Sequence, residues 1–522
     1  MKNNYLLIFV IFSFIFVSCS DSFLNLSPET NITSTTFYKT KEHFDQALIA
    51  SYKGLRNIAS DGLWMDEMRS DNAFYTIYYG DRGPYSSYEK PCLFIDDNVS
   101  ANAGPILDRW IADYQNIAKV NTILDRMEGS QLTADDKSNV EAEALFLRAF
   151  YYFDLVKCFG GVPLVLHEVT SASEAFIARS SLEDCYAQML SDLNRSIEIG
   201  LPIPAEFPKD NGGRATMGAV RMLRAYVNMT KPNPDFSNAE KDLIEITKMN
   251  YGLLDDYNSI FEPNNKNNKE TILDVQYTED GSTDQYSTFA WRLAPKCSNL
   301  IDMMGVAGSN YAGTSGGWVV PTKEMVDSYE LEDSRLSASI VVVEGHSDGD
   351  NFFFEKIIPD ARNYQVPMGK DYRYMVKKYF HPPYSYSLRA NENFPVYRYA
   401  GALLLLSESL IRQGKNSEAL PYINQVRARA DIPLLTNCTL QDVSNEMRHE
   451  LAFENHRWSD LKRMGIAKEV MTAHGEMIKE LYPWVKATNN DGCFKIDDFR
   501  MIYAIPIREL EINNLLTQNQ GY

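Results

Sequence analysis

Tyr399 to Pro433 constrains the fold more than any other stretch of the chain. Leu403, Leu406, Ser407 and Leu410 fall on one helical face, the chain turns at Gly414, and Ala419, Ile423 and Val426 face back from a second helix. An apolar stripe on each helix must be covered, and the short turn makes each helix the other's nearest cover. A small residue in each, Ser407 and Ala419, lets the two backbones approach closely. The same grammar recurs upstream. Glu141 to Lys157 carries a broad apolar face and stops at Gly160-Gly161. Ser180 and Glu183 have capping-box spacing and open the helix that follows. Arg214 to Met229 and Ala239 to Met249 read as an antiparallel pair around KPNPDFS, and Phe44 to Ile58 and Leu107 to Met127 read as helices.

Between about Tyr251 and Pro395 the pattern changes. EPNNKNNKE, the Gly/Ser/Thr-rich AGSNYAGTSGGW and β-branched runs such as Ile340 to Val343 predict long loops with a few short strands. Helix pairs with small residues at the crossing follow tetratricopeptide logic. The chain of 522 residues therefore reads as one body over 19–522. That body divides into an N-terminal helical half, 19–250, a loop-rich insertion, 251–395, and a C-terminal helical part, 396–522. Lys plus Arg number 51 against 70 Asp plus Glu, a formal charge of −19. Such a field repels phosphates, which disfavours general nucleic-acid binding and charge-driven adsorption to anionic lipid.

The N-terminus is an address. Lys2 precedes Leu6 to Val17, LLIFVIFSFIFV, broken only by Ser13. A spanning helix needs about 20 residues, so residues 1–18 read as a signal peptide instead. Ser18 directly before Cys19 makes a lipobox, with Cys19 the expected lipid-attachment residue and first residue of the mature chain. Acyl chains there would tether a soluble body to a membrane, each buried methylene contributing about 0.8 kcal/mol. Ser20 to Thr30 is polar and reads as the tether. The remaining cysteines, Cys92, Cys158, Cys185, Cys297, Cys438 and Cys493, form no CxxC pair and read as scattered buried thiols.

Other pieces are more specific. Phe23-Leu24 and Pro28 follow the cysteine; then come Asp66-Glu67-Met68-Arg69-Ser70-Asp71-Asn72, and Trp110 to Leu124 with Tyr114 and Asn121. After these stand ALFLRAFYYFDLVKCFGGVPLVL, GRATMGAVRMLRAYV, VYRYAGALLLLSESL and ELAFENHRWSDLKRMG. The tail AIPIRELEINNLLTQNQGY, with Ile-Pro-Ile before a terminal Gln-Asn-x-Gly-Tyr, is the most diagnostic. End to end, the chain resembles the SusD/RagB family of outer-membrane lipoproteins of the Bacteroidetes type. It departs at Phe16 in the lipobox and at Asn455, where members often carry Gly. The resemblance implies a mainly α fold, a tetratricopeptide-like helix-pair scaffold with a long loop-rich ligand face. It also implies a surface glycan-binding protein (a peptide binder in some members) that sits as a lid on a SusC-like TonB-dependent transporter. No enzymatic activity and no cofactor are expected.

Traces of catalysis are thin. His449-Glu450 begins an H-E-x-x-H motif, but the next histidine is His456, too far along a helix to chelate one zinc. Glu454, Arg457, Asp460 and Arg463 read instead as ion-pairing residues. There is no GxSxG elbow, no GxxxxGK[ST] loop and no GxGxxG after a strand. Sugar binding asks for flat aromatic faces and planar polar groups. Two stretches supply them: Asp71 to Tyr88, with Phe74, Tyr75, Tyr78, Tyr79, Tyr85 and Tyr88, and a second group of Tyr286, Trp291, Tyr311 and Trp318. Asp71 and Asn72 are the expected hydroxyl partners, and Tyr75, Trp291, Tyr311 and Trp318 the expected ring contacts. Trp110, Trp458 and Trp484 read as framework. Two rival functions remain from the sequence: a secreted glycoside hydrolase and a protein-binding tetratricopeptide adaptor.

Overall fold

The helices stack in chain order, and the loop-rich middle is stapled at both ends to the stack. The computed structural model describes residues 37–75, 86–204, 212–280, 284–308, 316–488 and 492–522. Cys19, Tyr78, Tyr79, Tyr85 and Tyr311 lie outside the described residues.

The stretch expected as one helix from Phe44 is two, α1 (Lys41–Tyr52) and α2 (Gly54–Gly62), the second running into a π turn at Leu63–Glu67. The Tyr151 hydroxyl donates to the Ser51 carbonyl, which takes an acceptor from the helical ladder where the two helices part. Helices α3 (Pro105–Arg126) and α4 (Ala134–Phe159) follow, α4 ending at Gly160 with φ +76°. The cap of α5 (Leu182–Ile199) is Ser181, whose side chain accepts from the Asp184 amide. That shifts the expected Ser180/Glu183 box by one residue, because the Ser180 amide is held by the Val162 carbonyl. Next come α6 (Met217–Thr230) and α7 (Phe236–Thr247). After the middle segment stand α8 (Tyr399–Arg412), α9 (Asn416–Arg429), α10 (Leu440–Glu450), α11 (Arg457–Met464) and α12 (Ala467–Leu481). Packing runs α3 on α4, α4 on α5, α6 on α7, α7 on α8 and α8 on α9, a mainly α array of helix pairs.

The middle segment leaves α7 and returns to α8, which lie side by side. The strands are short: β1 (Ala73–Phe74), from the N-terminal half, pairs with β3 (Val320–Pro321) of the middle segment, and β2 (Thr271–Val275) pairs with β7 (Phe394–Arg398), both antiparallel. A third sheet has the order β5-β4-β6, from β4 (Ile340–Asp348), β5 (Asn351–Ile358) and β6 (Asp371–Val376). Short helices such as Phe289–Leu293 and Lys323–Ser328 fill stretches expected as loop.

One apolar cluster extends from Phe44 to Ile505, and a second, with Trp291, Val341, Val343 and Phe352, lies on one face of the three-stranded sheet. Cys92, Cys158, Cys185, Cys297, Cys438 and Cys493 are all buried. Buried charges join the middle segment to the C-terminal helices. Arg398 binds Glu270 at 2.6 Å, Glu450 at 2.9 Å and Glu454 at 2.8 Å, and Arg335 binds Asp333, Glu446 and Glu450.

Candidate functional site

The polar residues after the π turn face inward. Arg457 donates to Asp71 through Nε at 2.7 Å and through Nη2 at 2.9 Å, and Arg448 Nε stands 3.1 Å from Asp71 Oδ2. Burial alone would raise the Asp71 carboxyl, but the two guanidiniums outweigh it and hold the group well below the usual carboxylate range. Asn72 donates to Glu67 Oε1 at 2.8 Å and accepts from Arg448 Nε at 3.1 Å. Glu67 also accepts the amides of Phe453 and Asn455, each at 3.1 Å, and burial pushes its carboxyl up to about 7. The expected role of Asp71 and Asn72 as hydroxyl partners is therefore corrected. Their polar atoms are occupied by the chain, and they set the direction in which β1 leaves the π turn.

β1 then does what no local pattern could. Ala73 lies opposite Pro321 and Phe74 opposite Val320, so the ribbon joins the Asp71 stretch to the loop carrying Trp318. That loop needs its glycines: Gly316 has φ +109°, and a Cβ there would meet the Ala294 carbonyl oxygen at 2.0 Å. Trp318 consequently packs edge-on against Trp64 at 4.8 Å, with Tyr75 at 6.1 Å and Tyr88 at 6.2 Å. From a third direction Tyr482 stacks on Phe74 at 5.5 Å, and Trp484 lies 5.9 Å from Tyr75.

This cluster has two layers. Trp64, Phe74 and Tyr75 are no more than 4% exposed and form a floor. Tyr88, Trp318 and Trp484 are partly exposed and Tyr482 is 39% exposed; these form the rim that solvent reaches. Tyr75 thus supports the surface from beneath instead of forming it. Trp291 is corrected more strongly: at 1% exposure it belongs to the second core, near Tyr384, and has no ring face to offer. Tyr286 carries the Arg389 guanidinium 4.7 Å above its ring. The sequence reading overlooked Trp64 and Tyr482 and placed Trp484 in the framework. The available signal was Tyr482-Pro483-Trp484 at the end of α12, two rings around a proline where a helix must stop.

The histidine pair dissolves. His449 is on α10 and His456 precedes α11, with Phe453 at φ +64° and Asn455 at φ +62° between them. His449 Nε2 lies 3.1 Å from Ser328 Oγ, and His456 Nε2 3.1 Å from the Val396 carbonyl. Asn455 occupies a left-handed position, which explains how Asn can stand where glycine is common. The expected ion pairs are present: Glu454 with Arg398 and Lys378, Arg457 with Asp71, and Arg463 with Asp460 and Glu408.

A cavity of about 430 Å³ lies elsewhere, within the helical stack, with Arg109, Asp154, Tyr226 and Tyr397 on its walls. Its charges answer each other, Arg109 to Asp154 at 2.6 Å and to Asp66 at 2.7 Å. Tyr226 has one face on Tyr397 at 5.6 Å and the His456 ring parallel to it at 6.3 Å. Those rings are consumed by packing, whereas Tyr88, Trp318 and Trp484 are partly exposed.

A family model described as "SusD family" matches residues 269–522, and one described as "Starch-binding associating with outer membrane" matches residues 22–221. The chain is 25% identical to SusD-like protein P25 of Formosa agariphila, over the whole of both chains. It is 24% identical to the starch-binding protein SusD of Bacteroides thetaiotaomicron, over 78% of this chain and 77% of that protein. Among solved structures, a laminarin binding SusD-like protein superposes with a TM-score of 0.72 at 23% identity, covering 93% of this chain and all of the other. That last likeness is one of fold.

Proposed function

Because the chain belongs to the SusD/RagB family, we propose that it is a cell-surface glycan-binding lipoprotein that captures oligo- or polysaccharide and passes it, unaltered, to a SusC-like TonB-dependent transporter. Cys19 carries the lipid, and the body lies outside the outer membrane. The observation that carries the reading is the layered aromatic surface: Tyr88, Trp318, Tyr482 and Trp484 exposed over a buried floor of Trp64, Phe74 and Tyr75. Sugars present C–H faces that suit such rings, and a rigid aromatic floor lowers the entropy lost on binding. The names of relatives that bind starch and laminarin support the same ligand class. Asp71, which leads into β1, and Glu324, which follows β3, are each paired with an arginine.

The test is calorimetry of the lipid-free mature chain, residues 20–522, against plant, host and fungal oligosaccharides. Heat that saturates and returns to baseline is expected. Trp318→Ala combined with Trp484→Ala should weaken binding at least ~30-fold, about 2 kcal/mol for losing central aromatic anchors, with the fold intact. Sustained heat after each injection would mean turnover and favour the hydrolase. A double variant that binds glycan as the parent does would remove the aromatic rim from the reading.

A further inference from the structure

One charge on the wall of the cavity in the helical stack has no counterpart. The cavity measures about 430 Å³, a size usual for sites that take a small ligand, and residues of α2, α4, α6, β7 and α11 bound it. Pro234, on the turn between α6 and α7, is exposed and lies on its wall, so the cavity opens there. Lys462 of α11 lines it as well. Its ammonium donates to the carbonyls of Lys157 at 2.8 Å and Met501 at 3.1 Å, which leaves one of three N–H groups for something else. The Trp458 ring lies 5.4 Å away, but no carboxylate stands within ion-pair distance among the described residues. Burial pulls the Lys462 ammonium down to about 8, with Cys158 and Asp66 opposing the fall and Lys157 and Arg69 adding to it. A cation so placed, without a countercharge, is costly to keep.

Neutral groups at the same cavity are left open too. Tyr226 and Tyr397 are 6% and 5% exposed and use their ring faces in packing, yet neither hydroxyl has a hydrogen-bond partner among the described residues. His456 directs Nε2 at the Val396 carbonyl, which can only accept. The proton therefore sits on Nε2, and Nδ1 remains an acceptor. Phe150, Phe153, Met229 and Val396 add apolar wall. Water can satisfy hydroxyls in such a space, but it does not supply the negative charge that Lys462 lacks.

We infer that this cavity is a second ligand site, which takes a small carboxylic acid with an apolar body: the carboxylate on Lys462 and the body against Phe150, Phe153 and Met229. Tyr226, Tyr397 and His456 then offer hydrogen bonds to any polar group the acid carries. The site is separate from the Trp318 rim and does not depend on the glycan reading.

The experiment compares acids with neutral counterparts. Decanoate, phenylbutyrate and naphthylacetate are titrated near neutral pH into the lipid-free chain, residues 20–522, each beside the alcohol of the same skeleton. At least one acid should bind roughly tenfold more tightly than its alcohol, and should raise the melting temperature as its concentration rises. Lys462→Met should remove that preference. Lys462→Arg, which keeps the charge, should retain it and so separates charge from folding. Trp318→Ala combined with Trp484→Ala should bind the acid as the parent does. Equal affinity for acid and alcohol in the parent, an unchanged preference in Lys462→Met, or loss of the acid in the tryptophan variant would each overturn the site. Silence of the parent to all three acids would do the same and leave the cavity to water.

Discussion

Asp274, on β2, is buried beside the ion-pair network, and that burial pushes its carboxyl up to about 7 even though Asn393 hydrogen-bonds to it. A group whose folded value lies above its unfolded one stabilises the fold below the unfolded value and loses that contribution as pH rises through the folded value. Asp274 therefore costs stability above pH 7. Asp274→Asn should raise the melting temperature relative to the parent at pH 8 and have little or opposite effect at pH 5, where the parent carboxyl is already protonated. Identical differences at the two pH values would contradict the assignment. Single residues also mark where reading a sequence for function misleads. Asp71, Asn72 and Trp291 have the right chemistry for sugar, yet Arg457, Arg448 and the second core claim them. Residue type was legible; the partner that satisfies it was not, because each partner lies far along the chain.

At the scale of elements, local pattern was a better guide. The α8–α9 pair has its turn at Gly414, φ +77°, and its two small residues meet as expected. Ser407 Oγ donates to the Leu403 carbonyl at 3.0 Å and to the Ala419 carbonyl at 3.3 Å, and both residues are fully buried. There is no room for a larger side chain at that crossing. Ala419→Leu should lower stability by about 1–3 kcal/mol through overpacking, seen as an earlier urea midpoint, whereas Ala428→Leu, on the exposed side of the same helix, should not. Helices with strong apolar periodicity were readable because their stripe is written in consecutive turns. The break between α1 and α2 was not, since it falls where a tyrosine from α4, a hundred residues on, bonds the Ser51 carbonyl. Nor were the two-residue strands β1 and β3, which have no periodicity to read.

For the molecule as a whole, the excursion between α7 and α8 is held by β2 against β7 and by Arg398. Arg398 is the point where Glu270 of the excursion meets Glu450 and Glu454 of the C-terminal part. Replacing one partner of a buried charge cluster leaves the others uncompensated, so Arg398→Met should cost about 3–5 kcal/mol. We expect the excursion to open before the helical stack, giving an early protease-sensitive phase in a denaturant series; a single unshifted transition would refute this. The sequence by itself determined the helix-pair scaffold, the buried thiols, the ion-paired helix around Arg457 and the family. Those properties depend on spacing within a few turns or on motifs read end to end. Only the tertiary structure decided which aromatic rings are surface and which are core. That choice is made where β1 meets β3 and where α12 ends, by contacts between segments that share no local pattern. Exposure is a property of the packed chain, and a tryptophan carries no mark of it until its neighbours arrive.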